Sequence, residues 1–179
     1  MARVDGFGIS VELPSGFEGE VFGIPLGPGE TPATGVQTFS TAAAEGDPAA
    51  RSSAAAAAPT APPVLHVATF PLPAERGDFG NGAVDTMGTE DVFIALCEYG
   101  AAAASTALYA PEGFPRLTAA DFSTTTLHRS FDDHSGCQKF FHVGNRAFCL
   151  YVVLGSHNFR TSLVNRVNEV IERIEVATG

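Results

Sequence analysis

Residues 138–155, QKFFHVGNRAFCLYVVLG, constrain the fold more than any other stretch of the chain. Two runs rich in aromatic and β-branched residues are joined by Gly144-Asn145, a two-residue connection with glycine first, which is the pattern of a type II′ hairpin turn. With Val143 opposite Arg146, counting outward sets Phe141 against Phe148 and Phe140 against Cys149. Alternation then sorts the side chains onto two faces. Phe141, Phe148, Leu150, Val152 and Leu154 share one face, together with Lys139 and Arg146. Gln138, Phe140, His142, Cys149, Tyr151 and Val153 share the other. Both faces are largely apolar, so the pair is expected at the centre of a sheet covered on both sides.

The remaining elements follow from the same reasoning. In FGISVEL, Phe7, Ile9, Val11 and Leu13 alternate with Gly8, Ser10 and Glu12, a half-buried strand. Pro14-Ser15-Gly16 turns the chain and FEGEVFGI returns, which predicts an opening hairpin over 1–26. VLHVATF (64–70) and DVFIALCEY (91–99) are two more strands. The Gly- and Pro-rich segment between them reads as a structured loop, and the Thr-rich end of residues 108–131 suggests a further strand. In HNFRTSLVNRVNEVIERIEV, Phe159, Leu163, Val167, Val170, Ile171 and Ile174 recur at three- and four-residue steps, an amphipathic helix with Ser156 or Thr161 at its start. The sum is an α+β domain: an antiparallel sheet of six to seven strands with a C-terminal helix packed on one face.

Residues 27–63 break this pattern. They are rich in Ala, Pro, Gly, Ser and Thr and poor in large apolar residues, so little offsets their ordering entropy. They read as a mobile insertion in a single domain formed by 1–26 plus 64–179, because an isolated opening hairpin would not be stable by itself. The chain of 179 residues is large enough to fold without disulfides or metals. Its net charge of −10, with basic residues dispersed singly, argues against nucleic acid as a partner. No apolar run is long enough to span a bilayer, and the amino terminus lacks a signal-peptide profile, so a cytoplasmic protein without membrane insertion is expected.

Few residues invite chemistry. His142 and Cys149 lie diagonally on one hairpin face, and a thiolate–imidazole dyad there would need direct hydrogen-bond contact in an electropositive setting. Their neighbours Phe140, Tyr151 and Val153 are apolar instead. Cys97, Cys137 and Cys149 lack metal-ligand spacing and read as buried thiols, with Cys137 on the face opposite Cys149. In DDHSGC, Asp132, Asp133, His134 and Cys137 offer one H-x-x-C pair without a second, so turn material is the better reading and no metal is expected. Glu98, at a strand end, is either a functional carboxylate or a partner for Arg129 or Arg146; the ion pair is favoured. His66 reads as a hydrogen-bonded sheet histidine. Asp78-Phe79-Gly80 spells a kinase triplet, but the catalytic loop and glycine-rich loop that should accompany it are missing, as are the phosphate-loop and dinucleotide motifs; no cofactor is expected.

The opening GISVELPSGFEGEVF resembles the strand, Leu-Pro-x-Gly-aromatic, strand start of the PsbP-like superfamily, and the closing strand, Gly, helix, I-x-V order resembles its end. The middle, LHVATFPLP and ERGDFGNGAVDTM, is similar to a bacterial family without an assigned activity. The resemblance implies a PsbP-like α+β fold and a mostly non-enzymatic role, as accessory subunit, small-GTPase-binding factor, secretion chaperone or lipoprotein. The expectation is therefore a non-catalytic cytoplasmic interaction module (adaptor, accessory subunit or chaperone) whose partner is another protein. Two alternatives stand beside it. One is a small enzyme or ligand-binding domain with a pocket near Glu98, His142 and Cys149. The other is a self-assembling structural subunit.

Overall fold

The computed structural model describes residues 2–23, 62–127 and 133–178. Along these run β1 (Ala2–Gly6), β2 (Ile9–Leu13), β3 (Glu18–Phe22), β4 (Val64–Ala68), β5 (Val92–Glu98), α1 (Gly100–Ala104), β6 (Ser135–Val143), β7 (Arg146–Leu154), α2 (Arg160–Ile171) and β8 (Ile174–Val176). The insertion expected at 27–63 lies, apart from Pro62 and Pro63, outside the described residues.

The β6–β7 hairpin has the register that its turn predicts, with Val143 opposite Arg146 and Phe140 opposite Cys149. Of the two turn residues only Gly144 has a positive φ (57°), as a type II′ turn requires. β7 is a central strand, with β5 on its other side, but β6 is an edge. That edge is engaged at both ends by the preceding segment. His142 donates its N–H to the Pro111 carbonyl and accepts from Gly113, while Gly136 and Ser123 exchange both backbone bonds. An edge so engaged offers fewer backbone groups to another chain.

The fold is α+β with antiparallel pairing, as expected, but it is not one sheet of six to seven strands. Five strands form one sheet in the order β3-β4-β5-β7-β6, and three form a second, β1-β2-β8. The opening segment accounts for the difference. Ala2–Gly6 is itself a strand and pairs with Ile9–Leu13 across a two-residue Phe7-Gly8 turn, while β8 takes the other edge of β2. Both edges of β2 are thus occupied. The chain beyond Pro14-Ser15-Gly16 has no free edge to return to, and β3 pairs with β4 in the larger sheet instead. The expected hairpin between FGISVEL and FEGEVFGI is not formed. The Thr-rich end of 108–131 is also not a strand as far as Leu127: it is a turn, with Ser123 and Thr125 hydroxyls bonded at 2.8 Å.

The larger sheet is buried on both faces. One face packs Leu96, Phe148, Leu150 and Val152 against Leu163, Val167 and Val170 of α2 and against Ile9 and Val11 of the small sheet. Asn168 of α2 is buried and pins the 111–123 segment by donating to the Leu117 carbonyl (2.8 Å) and accepting from its N–H (3.0 Å). Two helix expectations need correction. Phe159 precedes α2 and is 57% exposed, since its backbone belongs to the entry turn where its N–H reaches Ser156 Oγ. Ile174 lies past the helix end, in β8. The opposite sheet face carries Val64, Ala95, Cys97, Cys149 and Tyr151 and is covered by residues of the 69–91 segment, together with Tyr99. Gly80 is essential to that cover: it has φ 78°, and a Cβ there would stand 2.4 Å from the Phe93 ring.

Candidate functional site

Glu98 ends β5 on the helix-facing side of the sheet, directly across from Phe148. Arg146, the first residue of β7, grips it in a two-pronged ion pair, Nε to Oε1 at 3.0 Å and Nη2 to Oε2 at 2.6 Å. The remaining guanidinium hydrogens go to backbone carbonyls. Nη2 donates to Phe7 (3.0 Å), and Nη1 donates to Gly8 (3.0 Å) and Ala177 (3.4 Å). A planar fork with fixed donors suits this task, and both charges are largely buried. Arg146 thereby bolts the β1–β2 turn and the end of β8 onto the large sheet. Glu98 is the ion-pair partner of Arg146 that its strand-end position suggests, and both its oxygens already accept bonds. Arg129 lies outside the described residues.

On the other face, His66 is fully buried in β4. Its Nε2–H donates to the Asp78 carbonyl (2.7 Å), and its Nδ1 accepts from Arg76 Nε (2.9 Å), which assigns the tautomer. Arg76 continues to the Pro73 carbonyl (2.6 Å) and to the Glu20 carboxylate. The rings of Phe22 and Phe93 meet the imidazole edge-on, each at 5.0 Å. Burial pulls the His66 pKa down to about 4; the Asp78 carbonyl opposes this, the Arg76 charge adds to it, and Glu20 opposes it. With both ring nitrogens engaged, the group holds structure and has no lone pair free to act as a base. Sequence reading missed this relay. The β3–β4 register sets Glu20 opposite His66, but that pairing is hidden in the chain because residues 24–61 separate the two strands. The only local sign is Arg76, a basic residue inside an otherwise Pro- and Gly-rich loop.

His142 and Cys149 share a face, as the register requires, but they have separate partners. His142 Nδ1–H donates to the Tyr109 carbonyl at 2.7 Å. The Cys149 sulfur accepts from Gln138 Nε2 at 3.3 Å. Burial pushes the Cys149 thiol up to about 11, partly offset by the Gln138 amide. Cys137 belongs to the helix-facing core, opposite Cys149, and burial raises its thiol to about 11 as well. Cys97 is raised further, by burial first and then by Cys149 and Asp78 beside it. A thiol held protonated in this way is a poor nucleophile at neutral pH. Glu98 faces the opposite side of the sheet from His142 and Cys149, so the three do not line one pocket.

The turn expected of DDHSGC is not formed at its far end: Ser135, Gly136 and Cys137 are the first residues of β6, and Asp133 bends the chain just before them. Asp133 has φ 70° and accepts from Ser156 Oγ (2.6 Å) and Asn158 Nδ2 (3.1 Å); Asp132 lies outside the described residues. Among the described residues no group of three or more His, Cys, Asp or Glu is placed to hold a metal ion. No described helix is long and apolar enough to cross a membrane.

One surface feature stands apart. Phe7 occupies the first position of the β1–β2 turn with φ 53°, followed by Gly8 at 72°. Two positive φ values define a type I′ turn, whose first position suits Asn, Asp or Gly and not a bulky ring. The ring is 55% exposed. It borders an open groove lined also by Pro63, Glu98, Ala101, Asn145 and Arg146. Compared with protein-family models, curated proteins and solved structures, the chain matches none of them.

Proposed function

We propose that this chain is a non-catalytic protein-interaction module of the cytoplasm (an adaptor, accessory subunit or chaperone) that engages another protein through the rim at Phe7. The observation that carries this reading is the exposed aromatic ring at a left-handed turn position, where Asn or Gly would relieve about 1 kcal/mol of backbone strain. Strain of that kind is kept where a side chain serves something other than stability. The turn is rigid, because Arg146 holds the carbonyls of both turn residues, so the ring is presented at little ordering cost. Two further points support the reading. The side chains most capable of chemistry are engaged in holding the fold together. The ends of the chain resemble the PsbP-like superfamily, whose members are mostly non-enzymatic.

The test uses the Phe7→Asn variant and a photo-crosslinking amino acid in place of Phe7. The substitution is expected to raise Tm by about 2–4 °C and to abolish partner binding. The photoprobe is expected to yield one discrete adduct with a different protein in host cells, absent when the same probe replaces exposed Glu175. Undiminished binding by Phe7→Asn defeats the proposal. Adducts only between copies of this chain, with a large species on size exclusion, replace it with self-assembly.

A further inference from the structure

We propose that Cys97 and Cys149 form a reversible cross-strand disulfide site at the centre of the five-stranded sheet, closed by a peroxide. The β5–β7 register places the two cysteines directly opposite one another, and both side chains belong to the loop-covered apolar cluster. Cys137 belongs to the other cluster and is excluded from the pair.

The kind of pair matters. Tyr99 donates its N–H to the Ala147 carbonyl, and Gly155 donates to Asp91. Stepping by two between these anchors makes Cys97 and Cys149 a hydrogen-bonded pair of the antiparallel ladder. Such residues have Cα atoms ~5.5 Å apart, inside the ~4.4–6.8 Å range that a disulfide spans. Their Cβ atoms stand roughly 1.5–2 Å farther apart than a relaxed disulfide prefers. The bridge therefore draws the two strands together, and a strained bridge is readily reduced again. That suits a transient, reversible modification better than a permanent staple.

The surroundings distinguish the two sulfurs. Cys149 accepts from the Gln138 amide, a contact that favours its thiolate. Cys97 directs its S–H toward the Asp78 carbonyl at 3.5 Å. Cys149 thus reacts first: its thiolate attacks one peroxide oxygen, the O–O bond breaks, and the departing hydroxide takes up a proton as water, leaving a sulfenic acid. The Cys97 thiolate then attacks that sulfur, the S–O bond breaks, and the hydroxide released combines with the proton lost from Cys97 to give a second water. Two thiols are oxidised by two electrons and one peroxide is reduced to two waters. Access comes through openings of the 69–91 cover, which contains no strand and only one short 3₁₀ turn. The same openings let water reach both thiols and relieve the burial that keeps them protonated and unreactive while the cover is closed. Closing the bridge removes the Cys97 S–H from the Asp78 carbonyl, leaving that carbonyl with His66 alone of these two donors.

The test starts from the native protein. It is treated with hydrogen peroxide at neutral pH, the remaining thiols are blocked after denaturation, and the peptides are mapped by mass. The expected main product is a linked peptide pair containing Cys97 and Cys149, cleaved by dithiothreitol, with Cys137 recovered blocked. Cys137→Ser retains the link. A sulfenic-acid trap labels position 149 in Cys97→Ser and leaves position 97 unlabelled in Cys149→Ser. Recovery of both cysteines as free thiols or as sulfinic acids, or a link that forms only in urea, overturns the proposal.

Discussion

The two faces of the five-stranded sheet are covered in physically different ways. On one side, α2 and the small sheet bring fully or almost fully buried aliphatic side chains such as Val167, Val170, Ile9 and Val11 onto Leu96, Leu150 and Val152. That cover is held mainly by removing apolar area from water, a non-directional attraction of ~25 cal/mol per Å². On the other side, the sheet offers smaller residues, among them Ala68, Ala95, Cys97 and Cys149. The 69–91 segment lies close upon them and is tied down by specific polar contacts. Arg76 and the Asp78 carbonyl hold its interior, and Asp91 ties its two ends together through Thr69 Oγ1 (2.8 Å) while also accepting from the Gly88 N–H (2.7 Å). The contrast teaches that an area-driven cover responds to deletion of volume, whereas a bond-driven cover responds to protons, to oxidants and to the loss of single donors.

The largest expected effect tests the area-driven side. Phe148 is fully buried and stacks on Phe141 with ring centroids 5.8 Å apart. Phe148→Ala is expected to lower global stability by about 3–5 kcal/mol. Urea unfolding followed by circular dichroism measures it, and a loss under about 1 kcal/mol would break the comparison.

Acid tests the other side. The His66 pKa lies at about 4 in the folded chain, below the 6.5 of an unhindered histidine. Below 6.5 the unfolded chain takes up a proton that the folded chain refuses. Stability from this group is therefore complete above pH 6.5, falls as pH drops toward 4, and levels off below that. The expected loss is on the order of 3 kcal/mol across that window. Urea midpoints measured at intervals of pH check it, and His66→Gln should flatten the step. Asp121 titrates in a separate window: bonding to Lys139 holds its pKa at about 2, so its contribution is present above 3.8 and lost as pH falls through 2.

Arg76→Leu gives the smallest and most local effect. It removes the donor to His66 Nδ1 inside the protein and is expected to cost about 1–3 kcal/mol. Hydrogen exchange should quicken at the amides of residues 77–87 while those of α2 keep their protection. Equal acceleration in both places would show that the two covers open as one unit.

Much of the large sheet was legible in the chain. The β6–β7 register followed from two turn residues and a period of two, and the assignment of Cys137 and Cys149 to opposite faces followed from that register. Glu98 was anticipated as a strand-end partner for Arg129 or Arg146, but neither the choice of Arg146 nor its role as the fastening of the small sheet was legible. The opening strand was obscured for a specific reason. Phe7-Gly8 does not look like a type I′ turn, since a bulky ring there is rare, and so Ala2–Gly6 passed unnoticed and Ile9–Leu13 was given the wrong partner. The relay of Glu20, Arg76 and His66 was illegible because each member lies on a different segment and only strand pairing brings them together.

What the sequence determined by itself is what short-range geometry controls. Alternation, turn chemistry and helical spacing depend on neighbours a few residues apart, and they specified the strands of the large sheet, the β6–β7 hairpin and α2. What only the tertiary structure decided is which edges meet. β2 between β1 and β8, Glu20 beside His66, and Cys97 opposite Cys149 all join residues that are distant in the chain. Backbone hydrogen bonds of a strand edge carry almost no information about side-chain identity, so any free edge can in principle accept any strand. The choice rests on how well whole faces bury against one another, and that comparison exists only once the sheets and α2 are packed.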